Sequence, residues 1–141
     1  MRCSRVLLAF AYVLLSTSAY AAGTVTRGQT FDDRFTFTWV SDGSGGVSGD
    51  VTTIRLMVGE IVRVEIIPNG GATQPSDLYD LTLLDTHGVD ILGGAGANLS
   101  NSAATMVVHP DIRIGSDETF QLVIANAGNA KGGTVKIWVG R

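Results

Sequence analysis

Four aspartates lie close together in the middle of the chain, and they are the residues with the most evident chemical potential. Oxygen-rich loops can hold calcium, which makes Asp77, Asp85 and Asp90 weak calcium candidates. Their spacing matches neither an EF-hand nor a glycine-aspartate calcium repeat, and the alternation of a strand separates Asp80 from Asp77 and Asp85. The simpler interpretation is that all four are turn and strand-end aspartates.

Other site chemistries find little support in the sequence. His87 and His109 are the only histidines and Cys3 is the only cysteine, whereas a zinc site needs several nitrogen or sulfur ligands at defined spacing. A glycosidase needs two carboxyls in a cleft, which short loops cannot easily build. No G-x-S-x-G motif occurs, and Gly93–Gly96 does not open a helix as a phosphate loop would. We therefore predict a protein that is not an enzyme, with no catalytic residue and no cofactor.

The N-terminal segment, residues 1–22, has the form of a secretory signal peptide. Two arginines precede the apolar run Val6–Leu15, and the small-residue pattern Ala19–Ala21 follows it. The run is short for a membrane span, so we expect no span in the mature form. An uncleaved anchor or a mistaken start codon are the alternatives. The remaining chain, 23–141, suits a single domain.

The charge balance argues against one class of partner. The chain has 10 basic and 13 acidic residues, a net charge of −3. Without the two leader arginines, 8 basic residues remain against 13 acidic ones, which gives −5. Phosphate contacts require clustered Lys and Arg, and no basic run occurs, so we expect no nucleic-acid binding.

The elements that must position these residues are strands, because apolar and polar residues alternate with period 2 throughout the domain. The sequence predicts an all-β fold, an antiparallel β-sandwich or small barrel of about seven to nine short strands. Weaker strands are expected at Gly23–Thr30, Val89–Leu92 and Ala103–His109. The inward-facing sets that we predict are Phe35/Phe37/Trp39, Ile54/Leu56, Val62/Val64/Ile66, Tyr79/Leu81/Leu83, Phe120/Leu122/Ile124 and Val135/Ile137/Val139.

Glycine-rich and polar segments between the strands predict the connections. Ser41–Gly46 and Val58–Glu60 each indicate a hairpin link, and Asp85–Gly88 indicates a tight turn. Gly93–Asn101 is small and glycine-rich, which predicts an exposed loop and makes Asn98 and Leu99 candidate interface residues.

Trp138 lies on the opposite face of its strand from Val135, Ile137 and Val139. A monomer would expose it there, unless a sandwich edge or a neighbouring loop covers it. Aromatic residues are enriched at interfaces, so Trp138 is a further interface candidate.

The segment Pro68–Asn101 resembles a family of small virion structural proteins of tailed bacteriophages and prophages, which share the pattern DLYDVTLxDxxGVDxLxGxGANxS. The similarity extends to most of the domain, including the final strand with its basic end. The resemblance implies a structural role without catalytic residues. The matching residues are Asp77–Asp80, Thr82, Asp85, Gly88–Asp90, Leu92, Gly96–Asn98 and Ser100, with flanking similarity at Thr38–Asp42, Gly46–Gly49 and Asn126–Gly133.

Two functional hypotheses result. The first is a minor or decoration component of a virion, which binds capsid or connector proteins and itself as a homo-oligomer. The leader departs from the family pattern and motivates the second, a secreted or periplasmic module that binds sugar or a cell surface and is stabilised by calcium in one variant. The location is the virion if the resemblance holds, and otherwise the periplasm or medium.

Overall fold

The computed structural model describes residues 22–28, 34–47, 53–55, 59–107, 112–114 and 119–140. The leader up to residue 21 and His109 lie outside these residues. Nine strands and one 3₁₀ turn, Gly71–Thr73, make up the described elements. The strands are β1 (Thr24–Arg27), β2 (Arg34–Val40), β3 (Thr53–Arg55), β4 (Gly59–Pro68), β5 (Asp80–Leu84), β6 (Thr105–Val107), β7 (Ile112–Ile114), β8 (Thr119–Ala125) and β9 (Gly132–Gly140).

The strands form two antiparallel sheets, which confirms the predicted all-β sandwich. The larger sheet has the order β1-β2-β9-β4-β6, and β7 pairs with another part of β4. The smaller sheet has the order β3-β8-β5. Within the described residues, no helix is long and apolar enough to cross a membrane.

The core lies between the two sheets and is built by the alternating residues. Every inward set predicted for β2, β5, β8 and β9 is buried. Each such side chain contributes roughly 1.5–3 kcal/mol when it leaves water. These residues are Phe35, Phe37, Trp39, Tyr79, Leu81, Leu83, Phe120, Leu122, Ile124, Val135, Ile137 and Val139.

The prediction for β4 is wrong at one position. Val62 is 40% exposed, whereas Ile61, Val64 and Ile66 are buried. The register against β9 shifts between Ile61 and Arg63, which marks a β-bulge. A bulge inserts one extra residue, so Val62 points outward and Ile61 points into the core instead.

Both predicted hairpins are wrong as well, because the chain changes sheets at these links. Gly59 and Glu60 already belong to β4 in the larger sheet, whereas β3 pairs with β8 in the smaller one. Ser41–Gly46 leads from β2 to Val47, which forms a bridge with Ile124 of β8. A short polar link looks the same in sequence whether the chain returns in one sheet or crosses to the other.

The weaker strands are present in part. β1 and β6 lie within the predicted segments Gly23–Thr30 and Ala103–His109. Val89–Leu92 is not a strand, since its only ladder contact is the bridge between Leu84 and Asp90. The sequence reading also missed β7, which has only three residues.

Candidate functional site

The chain after β5 folds back along that strand, and we call β5 together with residues 77–79 and 85–101 the β5 edge. The Leu81 amide donates to the Gly96 carbonyl over 2.8 Å, and the Ile91 amide donates to the Leu83 carbonyl over 2.9 Å. The returning segment therefore satisfies backbone groups that an edge strand would otherwise leave open.

Gly96 is buried, and it lies so close to β5 that a Cβ atom there would overlap the Leu81 carbonyl oxygen. Leu99 is only 4% exposed and forms a bridge with Tyr79. The prediction that Gly93–Asn101 is an exposed loop is therefore wrong for these two residues, and Leu99 has no surface to offer a partner. Asn98 is exposed, with a φ of 52°.

The aspartates of the β5 edge hold backbone amides rather than one another. Oδ1 of Asp85 accepts from the amides of His87 and Val89, each over 2.8 Å. The hydrogen bond from the Val89 amide is the largest of the causes that hold the pKa of Asp85 below its ordinary value of 3.8. His87 lies beside it, with a side chain that is 82% exposed. The tight turn predicted at Asp85–Gly88 is confirmed by the Gly88 amide, which donates to the Asp85 carbonyl over 3.0 Å.

Asp90, Asp80 and Asp77 act in the same way at the other turns. Asp90 accepts from the amides of Leu83, Leu92 and Gly94, and Asp77 accepts from the Asn101 amide. Asp80 accepts from the Asn98 amide over 2.9 Å and from Nδ2 of Asn126 over 2.7 Å. In the part of the chain that the structure describes, no three His, Cys, Asp or Glu side chains group closely enough to hold a metal ion. The structure thus does not bring the calcium candidates Asp77, Asp85 and Asp90 together into one group.

Two buried aromatic residues carry polar atoms in the core. Among the described residues, neither the Trp39 Nε1 nor the Tyr79 hydroxyl has a hydrogen-bond partner, and the two ring centroids are 5.8 Å apart. Burial raises the pKa of Tyr79 to about 12. The phenol therefore stays protonated at neutral pH and is unsuited to act as a base.

Trp138 lies at the centre of the larger sheet, on its outer face. Its strand β9 lies between β2 and β4 in this six-stranded sheet, and the register places Trp138 between Arg34 of β2 and Arg63 of β4. Directly opposite residues of antiparallel strands share a face, so the three form one cross-strand row.

Arg63 covers part of this tryptophan. Its Cζ lies 3.7 Å from the Trp138 ring centroid, a cation–π contact worth about 0.5–1 kcal/mol near a surface. Trp138 is accordingly half-buried. Among the described residues, the cover comes from a neighbouring strand, whereas the sequence suggested a loop or a sandwich edge.

The surroundings of this row combine charge with apolar surface. Lys136 and Glu65 form an ion pair of 3.2 Å, Met106 is 61% exposed and the bulge residue Val62 is 40% exposed. We call the whole surface the Trp138 face. Its members are Arg34, Glu60, Val62, Arg63, Glu65, Met106, Arg113, Lys136 and Trp138.

Sequence reasoning identified Trp138 but missed its two arginines. Strand alternation predicts that Arg63 points to solvent because its neighbour Val64 points inward. No local signal indicates that Arg63 lies beside Trp138, which is far along the chain. The Trp138 face offers binding chemistry, namely an aromatic ring, guanidinium donors and apolar side chains.

No protein-family model, no curated protein and no solved structure matches this chain.

Proposed function

We propose that this protein is a non-enzymatic structural component of a tailed-phage virion, which attaches to neighbouring proteins through the Trp138 face. The observation that carries the proposal is the cross-strand row Arg34–Trp138–Arg63 at the centre of a sheet's outer face. Trp and Arg are the residue types that dominate binding energy when they lie at the centre of an interface.

The resemblance of Pro68–Asn101 to virion proteins supports the particle role. Its distinctive residues build the β5 edge: Asp80 accepts from the Asn98 amide and Gly96 lies tight against Leu81. A pattern that encodes a scaffold is consistent with a structural family, because such a pattern preserves shape rather than chemistry.

The contact of Arg63 with the Trp138 ring favours a protein partner over a sugar. Arg63 lies over the Trp138 ring, so a sugar could not stack on that side. Arginine next to an aromatic residue suits carboxylate-bearing protein surfaces, since its guanidinium can bind them in a bidentate manner.

The test is mass spectrometry of gradient-purified particles from cells that produce the protein. We expect the chain to co-purify at a stoichiometry typical of a structural part. Arg63→Glu should reduce its incorporation at least about tenfold, because interface charge pairs contribute strongly to affinity. Arg27→Glu is the matched control, since Arg27 is an exposed arginine on β1 that lies over Phe35 and is not part of the Trp138 face. Absence of the protein from particles would refute the virion role.

A secreted or periplasmic binding module is the second candidate, and the leader-like residues 1–22 favour it. It requires a mature protein that begins near Ala22 or Gly23 outside the cytoplasm. N-terminal sequencing of the native protein separates the two candidates, because an intact or Met1-trimmed chain would exclude export by cleavage.

A further inference from the structure

The two named surfaces carry opposite charge. Between Arg63 and Arg113 the sequence contains no Lys or Arg, whereas the β5 edge contributes four aspartates within that interval. Among the residues that the structure describes, the Trp138 face has four basic side chains, Arg34, Arg63, Arg113 and Lys136, against the two acidic residues Glu60 and Glu65. The chain is acidic overall, with a net charge of −3, so a basic face is a local exception.

Both surfaces also expose apolar side chains. Leu78 and Val89 of the β5 edge are 58% and 59% exposed, and they stand at opposite ends of β5. On the Trp138 face, Met106 is 61% exposed and Trp138 is half-buried. Each surface thus combines a net charge of one sign with apolar area, as specific contacts do.

One chain cannot bring these two surfaces together, because they belong to different sheets of one sandwich. Two copies can. We propose that a second copy of this chain docks its β5 edge on the Trp138 face, in a head-to-tail contact. The inference rests on the proposed structural role and names the partner of the face.

The net charges of the two surfaces disfavour the symmetric arrangements. A Trp138 face packed on its own copy would oppose two surfaces of net positive charge, and two β5 edges would oppose two surfaces of net negative charge. Like charges that face each other across an interface weaken association. A head-to-tail contact avoids this and leaves one free surface of each kind at the ends, so copies add to a ring or a filament.

The test uses two variants of the full chain in sedimentation velocity. Arg63→Glu damages the face, and Asp77→Arg damages the edge at an exposed residue with one backbone hydrogen bond of 3.3 Å. Each variant alone should associate at least about tenfold more weakly than the unchanged protein. A mixture of the two should recover association, because the intact edge of the Arg63→Glu protein can dock on the intact face of the Asp77→Arg protein.

Two further proteins keep the test decisive. Arg27→Glu makes the same charge change outside both surfaces and should assemble like the unchanged chain. Lys136→Glu is a second variant of the face, which replaces Arg63→Glu if circular dichroism shows that the loss of the Arg63–Trp138 contact unfolds the protein.

Three results would overturn the inference. The first is an unchanged chain that stays monomeric at every concentration, which would leave the face to a partner other than this chain. The second is an Asp77→Arg protein that assembles normally while Arg63→Glu does not, which would indicate a face-to-face dimer. The third is a mixture of the two variants that associates no more strongly than either variant alone. A monomer that is nevertheless present in purified particles would leave the virion role standing and remove only the self-association.

Discussion

The β5 edge and the Trp138 face use polar side chains in opposite ways. At the β5 edge the carboxylates of Asp80, Asp85 and Asp90 accept hydrogen bonds from backbone amides and hold the chain in shape. On the Trp138 face, the contacts of Arg63 and Lys136 are with side chains of neighbouring strands. The most distinctive part of the sequence thus stabilises the backbone of the β5 edge, whereas the Trp138 face has no sequence motif and its side chains contact one another across strands.

The comparison predicts that substitutions of Gly96 and of the hydrogen-bonded aspartates at the β5 edge chiefly reduce stability, whereas substitutions on the Trp138 face chiefly reduce binding. The largest effect is expected at Gly96. Gly96→Ala should lower the free energy of unfolding by about 3 kcal/mol, because the new methyl group would meet the rigid Leu81 carbonyl. Urea denaturation measures this.

Gly70→Ala is the control for that substitution, since nothing lies within 4 Å of the position where its Cβ would stand. Its effect should stay within about 0.5 kcal/mol. Equal effects of the two substitutions would show that the close approach at Gly96 does not constrain the edge.

A smaller loss is expected at Asp80. Asp80→Ala removes the acceptor of both the Asn98 amide and the Asn126 side chain, which should cost about 1–2 kcal/mol in the same assay. Asp77→Ala removes one exposed bond of 3.3 Å and should cost less than about 0.5 kcal/mol. A larger stability loss in Asp77→Ala than in Asp80→Ala would show that the two hydrogen bonds to Asp80 do not stabilise the β5 edge more than the one to Asp77.

On the Trp138 face the stability effect should be smaller still. Arg63→Ala is expected to lower the free energy of unfolding by about 0.5–1 kcal/mol, the value of one exposed cation–π contact. Its incorporation into particles should nevertheless fall, unlike that of Arg27→Ala, which loses a looser contact of 5.1 Å with Phe35. A stability loss as large as that of Gly96→Ala would make the face part of the scaffold.

Acidification should produce the smallest effect. The folded pKa of Asp85 lies below 3.8, chiefly because the Val89 amide donates to its carboxylate. The stability that this carboxylate contributes is therefore fully present at a pH above the pKa of the unfolded state, and it is lost as the pH falls through the pKa of the folded state. Denaturation midpoints at about pH 5 and about pH 3 should differ less in Asp85→Asn than in the unchanged protein. If the two proteins lose equal stability between these pH values, the acid sensitivity belongs to other groups. One such group is Asp42, whose pKa is lowered chiefly by the hydrogen bond from the Ser44 hydroxyl.

Local alternation predicted much of the fold correctly. Tyr79, Leu81 and Leu83 were placed inward because successive side chains of a strand point to opposite faces, and all three are fully buried. The same rule failed at Val62, where a bulge adds one residue, and bulges depend on how two strands pair.

The candidate site was predicted only in part, because its members come together through pairing across long intervals. The sequence indicated that Trp138 points away from the core, which follows from its parity alone. It placed Leu99 in an exposed loop, but the bridge to Tyr79 buries it. Glycine-rich composition indicates a turn but not what the turn packs against.

By itself, the sequence determined that the domain is all-β, which residues form most of its core, and that Asp85–Gly88 is a turn. These are local properties, set by side-chain alternation and by the hydrogen bonds that short polar residues make to nearby backbone. Only the tertiary structure decided that β3 and β4 lie in different sheets, that the β5 edge closes on itself, and that Arg34 and Arg63 flank Trp138. Strand order and register depend on contacts between segments far apart in the chain, where the packing of the whole core selects one pairing.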